Sequence, residues 1–221
     1  MRSGLSQRAY RFLAAATISI LLAALWFVLH GTSARPDLVA GGRSGPPAHE
    51  AASPSPTLIM LRKLLPAFGG RANSGDLAAM TNFYGERAGS LMWVTESGLS
   101  DKASAVIAEV RRADDWGLRT RDFTLPQQTA AETSPEAAAE AEIKLSLTVL
   151  RYARYAQGGR IPDPSRISKL LDHTPTVHPP ALVLTDLAAT DAADAYLRAL
   201  HPKHPQFERL RQLQLGDNGL L

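Results

Sequence analysis

The sequence predicts an all-α protein, an irregular helical bundle of about five to seven helices after one N-terminal transmembrane helix. Three observations point there. Apolar residues recur at three- and four-residue spacings through residues 57–215. Capping residues and Gly or Pro stops bracket those runs. An uncharged run of 18 residues, Phe12 to Leu29, follows three arginines. No stretch alternates clearly enough for a strand; the nearest candidate, Ala181-Leu182-Val183-Leu184, is very short.

The chain divides in order. Residues 1–11, with Arg2, Arg8 and Arg11, form a basic segment expected on the cytoplasmic side. Residues 12–30 are expected to be a signal-anchor helix. The uncharged run would span about 27 Å, close to the ~30 Å of a hydrocarbon core, and Trp26 suits one interface. A cleaved signal is the alternative, because Thr32-Ser33-Ala34 offers small residues to a peptidase, but the run exceeds the ~7–15 residues of a usual signal core. Half of residues 31–56 are Gly, Pro or Ser, too little apolar surface to order a segment, so this is a linker. Residues 57–215 are the helical domain and 216–221 a tail.

Within the domain, Leu58, Leu61, Leu64 and Leu65 mark a first helix stopped by Pro66 and Gly69-Gly70. A second, from Asp76 to about Arg87, carries Leu77, Met80 and Tyr84 on one stripe, with Phe83 beside it. Ser100 caps a third, whose apolar face is Ala103, Val106, Ile107, Val110 and Ala113. Gly117 supplies its left-handed stop, and Leu118 packs back. Ser134, Pro135 and Glu136 open a long fourth helix lined by Leu145, Val149, Tyr152 and Ala156, and Gly158-Gly159 end it. A fifth starts near Thr190 or Asp191 and stops at Pro202; a sixth starts around Pro205 with Phe207, Leu210 and Leu213.

Charge and composition exclude several chemistries. The 24 basic and 21 acidic residues leave +3, and residues 1–56 hold five of the basic and two of the acidic ones, so the chain from Thr57 onward is balanced at 19 of each. That gives no electrostatic footprint for nucleic acid. Zero cysteines remove disulfides, thiolate nucleophiles and Cys-ligated metals. No G-x-S-x-G, G-x-G-x-x-G or P-loop pattern occurs. His201 and His204 have a metal-compatible i, i+3 spacing, yet Pro202 and Pro205 surround them, and a turn between helices explains them better. His173 and His178 lie in a Pro-rich loop. Asp114-Asp115 point about 100° apart on a helix and fit surface charges better than an acid–base pair. Gly158 to Pro162 superficially suggests a phosphate loop but follows a helix instead of preceding one. Arg87 and Arg160 could each hold a carboxylate ligand, with a helix-linking ion pair as the plainer role. No cofactor is expected.

An ordered set of segments carries a resemblance. Phe83-Tyr84-Gly-Glu-Arg87 is followed by Trp93, the Ala103–Trp116 helix, Gly117-Leu118, and Asp122-Phe123 with Leu125-Pro126. The Glu142–Tyr155 helix with Leu147-Thr148, then Gly159-Arg160-Ile161-Pro162, Leu200-His201-Pro202, His204-Pro205, Phe207 and Leu210 complete it. Over roughly residues 75–215 they resemble the helical scaffold domain of large membrane-anchored murein L,D-transpeptidases of the YcbB/YkuD type, with Phe207 standing where that pattern has tyrosine. Such enzymes add a peptidoglycan-binding module and a catalytic domain whose cysteine thiolate forms a thioester with a tetrapeptide stem. No position here matches a catalytic residue of the family. The resemblance therefore implies a non-catalytic scaffold, a truncated or split member linked to murein cross-linking. It would sit in the bacterial inner membrane as a single-pass protein with its domain in the periplasm. Its expected partners are the membrane, peptidoglycan, or a separate L,D-transpeptidase catalytic chain. The alternatives are an envelope adaptor unrelated to transpeptidation, and a hydrolase built on converging histidines.

The resemblance gives the motif residues structural roles. Tyr84 and Trp93 are expected to pack between helices with their polar tips at the rim. Arg87 should pair with a carboxylate or carbonyl, Gly117 and Gly159 should take positive φ angles, and Arg160 should tie the long helix to a neighbour. Leu118, Pro162, Pro202 and Pro205 mark the helix boundaries. Gly117→Val should cost more stability than truncating Lys102, taken as exposed.

Overall fold

The structure is a computed structural model that describes residues 53–87, 89, 91–126, 134–170 and 174–218. The segment expected to be cytoplasmic, the expected signal-anchor segment, most of the expected linker, His173 and the last three residues of the tail lie outside the described residues. Among the described residues no helix is long and apolar enough to cross a membrane.

The fold is mostly helical, as the spacing predicts. Seven α-helices are described: α1 (Pro56–Leu64), α2 (Ser74–Glu86), α3 (Asp101–Arg111), α4 (Pro135–Ala156), α5 (Pro180–Ala189), α6 (Ala193–Ala199) and α7 (Pro205–Asn218). α4 is the axis, because its buried positions cover more than half of its circumference. Twelve of its 22 residues are buried, from Ala138 to Ala156. α1, α2, α3, α5 and α6 all contact it, while α2 pairs with α5 and α3 with α6. The core joins Leu58 and Leu61 of α1, Met80 and Tyr84 of α2, Val106, Ile107 and Val110 of α3, and Leu184 and Leu187 of α5 around that axis.

Local chemistry explains the boundaries. Ser55, Asn73, Ser100 and Ser134 each accept a first-turn backbone N–H as N-caps. Two helix ends are closed by side chains from elsewhere in the chain. Arg62 of α1 donates to the carbonyls of Tyr84 (3.0 Å), Gly85 (3.1 Å) and Arg87 (2.7 Å), the end of α2. Lys102 of α3 donates to those of Leu187 (3.1 Å) and Ala188 (3.4 Å), the end of α5. Each brings a cation to the negative pole of a helix and satisfies orphan carbonyls. Lys102 is therefore half-buried and engaged, and it is no neutral comparator for a glycine substitution.

Three further features depart from the sequence expectation. The strand candidate Ala181–Leu184 lies inside α5, opened by Pro180 at its first position, with Val183, Leu184 and Leu187 buried. Its four-residue apolar run has no period of its own, so docking on α2 decides its form. A small antiparallel hairpin, β1 (Val94–Thr95) and β2 (Gly98–Leu99), interrupts the helices, with Gly98 at φ 115°. α7 continues past Leu215 to Asn218.

Gly117 has φ 72°, and Leu118 N–H closes the turn on the Ala113 carbonyl at 3.1 Å. After α4 the positive φ belongs to Gly158 (84°) and not to Gly159. Gly159 is required for closeness instead: a Cβ there would lie 2.6 Å from Val177 Cγ1 and 2.8 Å from Arg154 Cγ. A Cβ at Gly117 would meet only Gln214 Oε1 at 3.6 Å. Gly117→Val therefore imposes backbone strain without collision, about 2 kcal/mol for a β-branched residue. Lys63→Ala, exposed in the last turn of α1, should cost no more than about 1 kcal/mol. Urea denaturation of both variants checks the ranking.

Candidate functional site

The polar chemistry of the domain gathers at three places along α4. The first is fully buried. Glu142 and Ser146, one helical turn apart, face the segment entering the hairpin. Glu142 Oε1 accepts the Met92 N–H (2.7 Å) and the Tyr84 hydroxyl (2.8 Å), and Oε2 accepts the N–H groups of Trp93 (2.9 Å) and Val94 (3.1 Å). Ser146 Oγ lies 2.8 Å from the Tyr84 oxygen and accepts the Trp93 indole N–H at 2.9 Å. One proton assignment satisfies every group: Trp93 donates to Ser146, Ser146 to Tyr84, and Tyr84 to the Glu142 carboxylate. Such head-to-tail chains polarise each bond in turn. Burial pushes the Glu142 carboxyl above its ordinary range, against the pull of its donors. Burial, followed by the Glu142 charge, raises the Tyr84 hydroxyl well above its ordinary value. Tyr84 thus remains a donor. The polar tips of Tyr84 and Trp93 meet in the interior, not at the rim, because Glu142 and Ser146 receive them there.

The second place joins α3, α4, α6 and the turn before α7. Buried Glu109 accepts Arg198 Nη1 at 2.7 Å and the Trp116 indole N–H at 2.9 Å. Arg198 also reaches Asp194 at 2.7 Å. His201 is 5 % exposed. Its Nε2 lies 2.9 Å from the Tyr152 hydroxyl, and its ring stacks on Trp116 with centroids 4.4 Å apart. Burial, then the Arg211 charge, lowers its pKa to about 4. The Tyr152 hydroxyl has two acceptors in reach, Glu109 Oε1 at 3.5 Å and His201 Nε2 at 2.9 Å, and the shorter contact assigns its proton to Nε2 of a neutral His201 that carries its own on Nδ1.

The third is an open cleft of about 450 Å³ beside the C-terminal end of α4. Arg151, Arg154 and Arg160 line it with Tyr155, Pro175 and Val177. Arg154 forms a bidentate pair with buried Asp76, at 2.8 and 2.9 Å. Arg151 Nη1 donates to the Asp122 carbonyl at 2.9 Å. Arg160 Nη2 sits 2.9 Å from Asp122 Oδ2, and Arg119 Nε 3.4 Å from it. Neither N–H is aligned on that oxygen, so the contacts are between charges and Oδ2 lacks a hydrogen-bond donor among the described residues.

A family model described as the Scaffold domain matches residues 78–213. The chain belongs to this family. No curated protein matches the chain, and no solved structure matches it. The matched residues run from α2 into α7 and contain the first two polar places and all of the third except Asp76, so the Scaffold domain is the helical bundle apart from α1, the start of α2 and the end of α7.

The motif residues named from the sequence are spread through the bundle. Tyr84 and Trp93 belong to the first place, and Gly159, Arg160 and Pro162 to the cleft. Gly117, Leu118, Pro202 and Pro205 lie at helix boundaries around the second. The Arg87 guanidinium packs over the Phe83 ring, 4.8 Å from its centroid, and the Arg87 carbonyl accepts from Arg62; the expected side-chain pairing is replaced by this stacking. Among the described residues the histidines do not converge. His201 is buried, His178 is exposed, and His204 Nδ1 accepts the Gln206 N–H at 3.2 Å. Among the described residues no cluster of three or more His, Asp or Glu is placed to hold a metal. Asp114 accepts the Thr120 hydroxyl (2.7 Å) and Asp115 pairs with Arg112 (3.0 Å), each engaged separately.

Glu109, Glu142 and Ser146 escaped the sequence reading. A signal existed. The stripe Leu145, Val149, Tyr152, Ala156 extended backward by three and seven residues lands on Glu142 and Ala138, both buried. A carboxylate on the apolar stripe of a helix must find donors inside.

Proposed function

We propose that this Scaffold domain is the non-catalytic, membrane-anchored platform of a peptidoglycan L,D-transpeptidase system, held by residues 12–30 and displayed in the periplasm. It works by presenting a rigid body to the cell wall or to a catalytic chain. The observation that carries the reading is the ordered motif set from Phe83 to Leu210 within the matched family segment. The interior supports it. Glu142, Ser146, Tyr84 and Trp93 spend their polar groups on one another, which suits a load-carrying core better than a reacting centre. With zero cysteines among the 221 residues, thioester chemistry must come from a thiolate supplied elsewhere.

The test uses the full chain in detergent. Incubated with a disaccharide-tetrapeptide, it should acquire no covalent adduct by intact mass. Mixed with a separately purified cysteine-bearing L,D-transpeptidase catalytic domain, it should co-elute as a complex. An acyl adduct on the chain alone refutes the non-catalytic role; failure to associate with both the catalytic domain and isolated sacculi refutes the murein link. One observation favours the envelope-adaptor reading: Leu210 and Leu213 of α7 are 67 % and 65 % exposed, an apolar edge open to a partner.

A further inference from the structure

The cleft at the end of α4 is the least self-sufficient polar feature of the molecule. Its surroundings hold four guanidinium groups, from Arg119, Arg151, Arg154 and Arg160, against two carboxylates, from Asp76 and Asp122. Asp76 is fully occupied by Arg154. Among the described residues Arg151 uses only Nη1, on a backbone carbonyl, and Arg160 makes an unaligned charge contact. Two forks therefore keep donors for an outside acceptor. The volume, about 450 Å³, is that of a small-ligand site. Gly159 lets the wall close in: its missing Cβ admits Val177 against Arg154. Pro175 and Val177 make that wall apolar.

We propose that this cleft binds a short peptide through a carboxylate, with the carboxylate on Arg151 and Arg160 and an aliphatic side chain against Pro175 and Val177. The guanidinium fork matches a carboxylate in the plane of both groups. A dianionic phosphate suits the place less well, because the carbonyl end of α4 and the Asp122 carboxylate both add negative potential there. The apolar wall of Pro175 and Val177 also offers a place to an aliphatic side chain, which a peptide brings and phosphate does not. The proposal is independent of the transpeptidase reading, since it rests on the cleft alone.

Calorimetric titration of the full chain in detergent tests it with three probes: N-acetyl-alanyl-leucine, its C-terminal amide, and inorganic phosphate. The acid should bind at least about tenfold more tightly than the amide and more tightly than phosphate. Arg151→Gln combined with Arg160→Gln should weaken the acid about tenfold and leave the amide unchanged. Should that double variant unfold, Val177→Asp at the cleft edge sets a like charge beside the ligand and should produce a similar loss. Equal binding of acid and amide, phosphate binding more tightly than the acid, or no heat from the acid on the unaltered chain would each overturn the proposal.

Discussion

Replacing Glu142 by alanine is expected to cost about 3–5 kcal/mol, a large share of the roughly 5–15 kcal/mol that holds a domain folded. The substitution strands four donors at once: the N–H groups of Met92, Trp93 and Val94, and the Tyr84 hydroxyl. Three of these are backbone and cannot be removed by a compensating mutation. Glu142→Leu with Tyr84→Phe should consequently recover only part of the loss, although an apolar replacement of a buried polar pair is often neutral. Urea denaturation measures both. A loss below about 1 kcal/mol for Glu142→Ala, the scale of one ordinary hydrogen bond, would mean that water enters and takes over the carboxylate's role. The raised carboxyl pKa has a sign of its own. Folded Glu142 keeps its proton to higher pH than the unfolded chain does, so its titration favours the fold in acid, and that contribution fades as pH rises through the folded value.

His201 acts in the opposite direction and should dominate acid sensitivity. Its ordinary pKa of 6.5 falls to about 4 in the fold. Between those values the unfolded chain binds a proton that the folded chain refuses, so stability declines as pH drops from 6.5 toward 4. Burial of the ring sets the sign, Arg211 adds to it by repelling a charged imidazole, and the nearby Glu109 carboxylate is already neutralised by Arg198. The full shift would be worth at most about 3 kcal/mol, and about 2 kcal/mol once charge screening is allowed for. His201→Gln keeps an acceptor for Tyr152 without the titration. Its stability should vary less across pH 4–6.5 than that of the parent chain. Parallel pH profiles for the two proteins would show that another group controls the window.

The two predictions mark where the sequence is readable and where it is not. Ser100, Gly117, Ser134 and Pro135 are read correctly because each acts on backbone within four residues of itself. Val183 and Leu184 are not, because an apolar run without a period takes its form from what it packs on. Gly158 and Gly159 divide the same way. One of the pair must absorb a left-handed turn, a local demand, whereas Gly159 answers to Val177, 18 residues away, whose approach no local pattern records.

What the sequence determined by itself is the helical character, the caps and the stops, all consequences of interactions over a few residues. What only the tertiary structure decided is where the polar groups are spent. Glu142 meets the 92–94 backbone some 50 residues away in sequence, and Arg151 and Arg160 come to share a cleft with Val177. The reason is physical. A cap is satisfied by its own turn, but a buried carboxylate or an unspent guanidinium is satisfied only by whatever the folded chain carries to it.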